Sequence, residues 1–121
     1  MDYEFFSHEE LMCKCGCGLA DMDAEFMKYL VELRRACAFP FTITSAYRCK
    51  SHNLLVGGHP RSAHMRGMAV DVQLSGTKAL LVVSEAVDYR FNGVGVSQKG
   101  NHESRFIHLD TTHDNIAMWS Y

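Results

Sequence analysis

His64 and Asp71 stand in the stretch Ser62-Ala-His-Met-Arg-Gly-Met-Ala-Val-Asp-Val72, where a histidine, a glycine and a carboxylate share an otherwise apolar segment. If Met68 to Leu74 forms a strand, Met68, Val70, Val72 and Leu74 face one side and Ala69, Asp71 and Gln73 the other, so Asp71 points away from the core. Gly67 lets the backbone turn between His64 and that strand, and the two side chains can then converge. A second alternating run, Arg105-Phe-Ile-His-Leu-Asp-Thr111, sets Ile107 and Leu109 on one face and Phe106, His108 and Asp110 on the other. His108 is the natural third partner. Two neutral imidazoles and one carboxylate hold a tetrahedral zinc with one position left open, which is how catalytic zinc sites differ from closed structural ones.

The pattern S-x-H-x-x-G-x-A-x-D, followed some tens of residues later by a strand bearing histidine, resembles the zinc D-alanyl-D-alanine carboxypeptidase family, which also contains phage endolysin endopeptidases. Ser45-Ala-Tyr-Arg-Cys-Lys-Ser-His-Asn53 and Val56-Gly-Gly58 look like that family's S-G-Y-R-S-x-x-x-N and V-G-G segments. The opening Phe6-Ser-His-Glu-Glu-Leu-Met-Cys-Lys-Cys-Gly-Cys-Gly18 is similar to the start of its small phage-type members. The resemblance spans nearly the whole chain, and the ordered set of motifs is far more specific than any one of them. It implies the fold shared by these peptidases and the signalling domain of hedgehog proteins.

Hydrolysis of an amide also needs a group to carry a proton from water to the leaving amine. Many members of the family place Asp or Glu three residues before the second zinc histidine, and others a histidine two before it; those positions here are Arg105 and Phe106. Glu103 is the nearest upstream acid, resembles the acidic residue that hedgehog proteins carry near this point, and is the expected general base. Asp110, on the face of His108, is the alternative, with His102 behind it. Arg48 stays charged and can grip a carboxylate through two parallel bonds, which suits a peptide with a free carboxylate. The matching arginine of the family sits by the substrate. By the same resemblance Ser62 binds substrate or shapes the metal loop. His52, His59 and His113 are expected to face solvent or to stand behind the ligands. No thiol sits where a histidine or helix start would activate it, which argues against cysteine-based catalysis.

The elements that must position these groups can be read in order. Ser7-His-Glu-Glu10 has capping-box spacing and predicts a short helix from His8 to Met12, with Phe6 stapling it to the core. Cys13-Lys-Cys-Gly-Cys-Gly18 breaks regular structure and gathers three thiols. It is either a small second metal site completed by Cys37 or Cys49, or a tight loop of small buried sulfurs. Phe26, Met27, Leu30, Leu33 and Cys37 recur at helical spacing from Asp23 to Ala38, and Phe39-Pro40 ends that helix. Phe41 to Tyr47 alternates as a strand, Ser51 to Val56 is a short helix closed by Gly57-Gly58, and Lys78 to Tyr89 is a second amphipathic helix expected to turn Leu80, Leu81, Ser84 and Val87 inward. Val94 to Ser97 is a short strand before the one bearing His108. The last ten residues, with His113 and Trp119, either pack beside the cleft or close the domain. The order implies an α+β fold with a mainly antiparallel sheet, helices on one face and the zinc cleft on the other.

At 121 residues the chain is expected to form a single domain, 1–121, with one core. Hydrophobic residues at 47% and charged residues at 21% are those of a globular protein, and a formal net charge of −2 with no basic stripe gives no electrostatic basis for binding nucleic acid or an anionic membrane. The N-terminus does not read as a secretory signal, and the apolar runs fall short of the roughly 20 residues a membrane helix needs. The expectation is synthesis in the cytoplasm, reduced cysteines, a monomer, and action on the cell wall only once released. The reading is a zinc metallopeptidase that hydrolyses an amide bond in peptidoglycan stem peptides, as a DD-carboxypeptidase or an L-alanyl-D-glutamate endopeptidase, in phage lysis or wall remodelling. The alternative is a non-catalytic zinc module that binds a wall peptide or a protein partner.

Overall fold

A computed structural model describes residues 3–121. Its helices are α1 (His8–Leu11), α2 (Ala24–Cys37), α3 (Lys50–Leu55) and α4 (Gly76–Ala86), and its strands β1 (Thr42–Ser45), β2 (Ala69–Gln73), β3 (Gly93–Ser97), β4 (Phe106–Asp110) and β5 (Ala117–Ser120). Single 3₁₀ turns cover Ala63–Arg66, Val87–Tyr89 and His102–Ser104. The strands form one sheet in the order β1-β2-β4-β3-β5, antiparallel throughout except for the parallel pair β3/β5. The α+β class and the strands carrying Asp71 and His108 are as the alternation predicts. The fifth strand is not: four residues with an exposed Met118 and Ser120 give too short an alternation to stand out from a tail.

Local chemistry explains the helix starts. Ser7 and Glu10 form the reciprocal capping box of α1, and Asp23 caps α2 by accepting from the Phe26 amide at 2.9 Å. Helix α2 ends at Ala38 in the left-handed region, φ 61°, just before Phe39-Pro40. Phe26, Met27, Leu30 and Leu33 from α2 pack with Val70, Val72, Ile107 and Leu109 from the sheet, and Phe26 meets Phe91 edge to face at 5.5 Å between ring centroids. Phe6 and Leu11 are fully buried in the same cluster. Burying each such side chain contributes about 1.5–3 kcal/mol, so the core face holds the sheet while the other face is free for polar groups.

Helix α4 corrects the expected inward face. Leu80, Leu81, Ser84 and Val87 are exposed, and Ala79, Val82 and Ala86 are buried. The small side chains face the sheet because they let the helix axis approach it closely; the larger leucines at intervening positions are left on the outside. Helical spacing alone fits both stripes, and only the distance to the sheet chooses between them.

Gly67 is where the chain turns from the 3₁₀ segment of His64 into β2. It has φ 66°, a Cβ there would overlap the Asp21 carbonyl oxygen, and its own carbonyl accepts from the Asp23 amide at 2.9 Å. Gly67→Ala is expected to destabilise the protein by at least the roughly 1–2 kcal/mol of a left-handed alanine, with a further loss from pushing the start of α2 away. A denaturant midpoint unchanged from that of the parent protein would contradict this reading.

Candidate metal centre and cleft

Asp71 and His108 are direct cross-strand partners on β2 and β4, which puts both side chains on the face opposite the core. His64 reaches the same point from the 3₁₀ turn that precedes Gly67. Its Nε2 lies 3.5 Å from Asp71 Oδ1, and His108 Nδ1 lies 3.0 Å from the same oxygen. The side chains of the three residues are only 4%, 16% and 10% exposed for His64, Asp71 and His108. One donor atom from each falls within 4.8 Å of the others. Zinc bonds of about 2.0–2.2 Å to nitrogen and oxygen set donor separations in a tetrahedron of about 3.3–3.5 Å, close to these values.

The far side of each imidazole is fixed as well. His64 Nδ1 pairs with the Ala46 carbonyl oxygen at 2.7 Å, an arrangement in which Nδ1–H donates and Nε2 is left bare as a ligand. His108 Nε2 pairs with Asp110 Oδ2 at 2.6 Å, which leaves Nδ1 to face Asp71. Asp110 is 2% exposed; its other oxygen accepts from the Thr112 amide and hydroxyl, each at 3.0 Å, and pairs with His113 Nδ1 at 2.8 Å. Asp110 therefore shares the face of His108, as the alternation predicts, but stands behind that imidazole and orients it. Gly93 permits this, since a Cβ there would overlap Asp110 and His113.

The electrostatics follow from that crowding. Burial raises the Asp71 carboxyl, but hydrogen bonds with His108 and His64 outweigh it and hold the group well below the usual carboxylate range. Burial pushes His108 down, and the two flanking carboxylates, Asp110 and Asp71, reverse this and lift it to about 9. Asp110 is lowered to about 2, the bonds from His108 and Thr112 overcoming its burial. The two carboxylates thus favour positive charge at the His108 ring.

The trio lies in a cleft of about 630 Å³, within the range of about 300–1,000 Å³ that holds small ligands. Arg48 lines it, held by Nη1 donating to Asn53 Oδ1 at 2.9 Å and Nη2 near Ser45 Oγ at 3.4 Å. Ser62 lines it too, and its hydroxyl caps the 3₁₀ turn by accepting from the His64 amide at 3.2 Å. Glu103 is exposed on the turn His102–Ser104, outside the cleft lining, and His102 pairs instead with Ser75 Oγ at 2.7 Å. Trp119 of β5 packs beside the cleft, one of the two places expected for the last ten residues, and the side chains brought here that sequence reasoning did not assign include Asn53, buried behind Arg48, and Tyr121, just past β5. Trp119 stacks at 5.3 Å from His108 and 5.4 Å from His113, and Tyr121 lies 5.0 Å from Phe106. Asn53 was visible as the last residue of a motif; Tyr121 carried no signal beyond its two-residue spacing from Trp119.

The family model described as Peptidase M15 matches residues 4–110, which include all three metal-ligand candidates. No curated protein matches the sequence at a significant level.

In the metal-free protein the buried cluster fixes a pH dependence. Asp71 and Asp110, held below their ordinary 3.8, contribute stability that is present above that value and lost as pH falls through their folded-state values. His108, lifted from 6.5 to about 9, contributes stability that is complete below 6.5 and lost as pH rises through about 9. The chelator-treated protein is thus expected to melt at its highest temperature between pH about 4 and 6.5 and progressively lower towards 9. A melting temperature that climbs from pH 6.5 to 9 would count against the paired arrangement.

Proposed function

The chain belongs to the peptidase M15 family, and on that premise we propose that it is a zinc metallopeptidase that hydrolyses an amide bond in peptidoglycan stem peptides. The observation that carries this is the trio His64, Asp71 and His108, with each imidazole locked from behind, in a cleft that also holds a charged arginine. His64, Asp71 and His108 would hold the zinc, which when bound would supply Lewis acidity for activating water and the scissile carbonyl.

The chain's own residues do the rest. Arg48, pre-oriented by Asn53, grips the free carboxylate of the stem peptide and so sets which amide lies over the metal centre. Trp119 and Tyr121 form an aromatic wall of the cleft against which the peptide lies. Asp110 and the Ala46 carbonyl hold the ligand histidines in the required tautomers. Proton transfer is assigned to Glu103, the acid on the segment leading into β4, since both oxygens of Asp110 are engaged; His113, which lines the cleft, is the rival group. A terminal D-alanine and the bond between L-alanine and D-glutamate are both amides flanked by carboxylates that Arg48 can hold. Lysis of a host wall by a phage, or wall remodelling, is the corresponding role.

A second reading rests on one specific observation: Glu103 is exposed outside the cleft lining, and Arg105 stands where many members of the family that the sequence resembles carry an acid. It makes the domain a zinc module that binds a wall peptide or a protein partner without cutting it. Mass spectrometry of purified peptidoglycan fragments incubated with the protein, with and without a chelator, separates the two. A chelator-sensitive product is expected, and its mass identifies the bond; a folded, zinc-loaded sample that yields none across several wall chemistries would establish the module instead. Glu103→Gln is expected to lower kcat by about 10²- to 10⁴-fold with zinc content unchanged, and Asp110→Asn to weaken zinc binding by about 10- to 100-fold. Full turnover in Glu103→Gln together with its loss in His113→Gln would move the proton-transfer role to His113.

A further inference from the structure

The three clustered cysteines of the N-terminal loop are joined in space by a fourth, Cys49, from the far side of β1. Cys13, Cys15, Cys17 and Cys49 place one sulfur each within 4.8 Å of all the others. Cys37, the other candidate to complete the group, lies at the end of α2 and is not part of it. We propose that these four thiolates form a second metal centre, a closed structural zinc site that clasps the N-terminal loop to the segment carrying Arg48.

The distances favour a shared metal over a disulfide. Cys49 Sγ is 3.7 Å from Cys13 Sγ and 3.7 Å from Cys15 Sγ. A zinc–sulfur bond of about 2.3 Å sets the edge of a sulfur tetrahedron at about 3.8 Å, whereas a disulfide draws two sulfurs to about 2.05 Å. All four thiols are free. The alternate spacing Cys13, Cys15, Cys17 is accommodated by Gly16 and Gly18, both in the left-handed region, which curl the loop so that three side chains meet one point. The loop is closed at its base by the Cys13 amide donating to the Leu19 carbonyl at 2.8 Å.

Backbone amides are also aimed at the sulfurs. The Cys49 amide donates to Cys13 Sγ at 3.4 Å, and the His52 amide, in the first turn of α3, donates to Cys49 Sγ at 3.4 Å. Such N–H···S bonds support the negative charge that a ligating thiolate carries, as outer groups do around other metal ligands. Four sulfurs leave no open position, so the role is structural. Its consequence is local: the Tyr47 amide donates to the Leu11 carbonyl and the Arg48 amide to the His64 carbonyl, both at 3.1 Å, so a clasp at Cys49 pins the strip that supports one ligand histidine and the arginine of the cleft.

The test does not depend on peptidase activity. In the full chain carrying His64→Ala and His108→Ala only the sulfur site can hold a metal, and cobalt(II) added to the reduced protein is expected to give intense near-ultraviolet thiolate-to-cobalt absorption that saturates at one equivalent and is bleached by zinc. Adding Cys49→Ser is expected to weaken cobalt binding and lower the absorption per bound cobalt; if that chain does not fold, Cys17→Ser at an exposed sulfur reads the same change. The unmodified protein purified under reducing conditions is expected to carry a second zinc beyond the one removed by the histidine substitutions. Absence of thiolate-to-cobalt absorption in the folded histidine variant, or a Cys13–Cys49 disulfide found by peptide mapping of that reduced preparation, would overturn the proposal. Loss of wall hydrolysis with this absorption intact would count against the peptidase reading alone.

Discussion

A carboxylate and two imidazoles buried on one sheet face need a cation between them, and most of the structure can be understood as meeting that need in one geometry. Asp71 and His108 are fixed by the β2/β4 register, in which a slip of one residue would turn the slipped strand's member of the pair to the core and separate the two. His64 is fixed by a separate device, a 3₁₀ turn closed by Gly67 at φ 66°. The Ala46 carbonyl and the Asp110 carboxylate then decide which nitrogen of each ring is available. The same crowding lifts His108 and holds the Asp71 and Asp110 carboxyls unusually acidic.

The strip Ala46–Cys49 links this centre to the rest of the chain. Ala46 holds His64 by its side chain and Arg48 holds it by its backbone, while Tyr47 is tied to the end of α1 and Cys49 to the thiol loop. A short N-terminal segment with little core of its own therefore bears on the site from behind. Phe6 and Leu11 anchor it in the main apolar cluster, and the sulfur cluster gives it a second attachment near the cleft. The same economy holds at the other edge of the sheet, where β5 adds an outer strand and brings Trp119 and Tyr121 to the cleft wall.

The sequence by itself determined where Asp71 and His108 would face, because period-two alternation assigns them to the polar face of any strand that contains them, and the cap of α1, because Ser7 and Glu10 act on amides within three residues of each other. Those are local rules. Tertiary structure alone decided the matters that depend on distance between remote segments: that Ala79, Val82 and Ala86 rather than the leucines face the sheet, that Cys49 and not Cys37 joins the thiol loop, and that four weakly patterned residues near the end form a parallel strand. It also decided the placement of the acids. Asp110 and Glu103 have the same chemistry, and only the fold buries one behind His108 and leaves the other exposed on a turn, since burial and partners are properties of the packed chain and not of the residue.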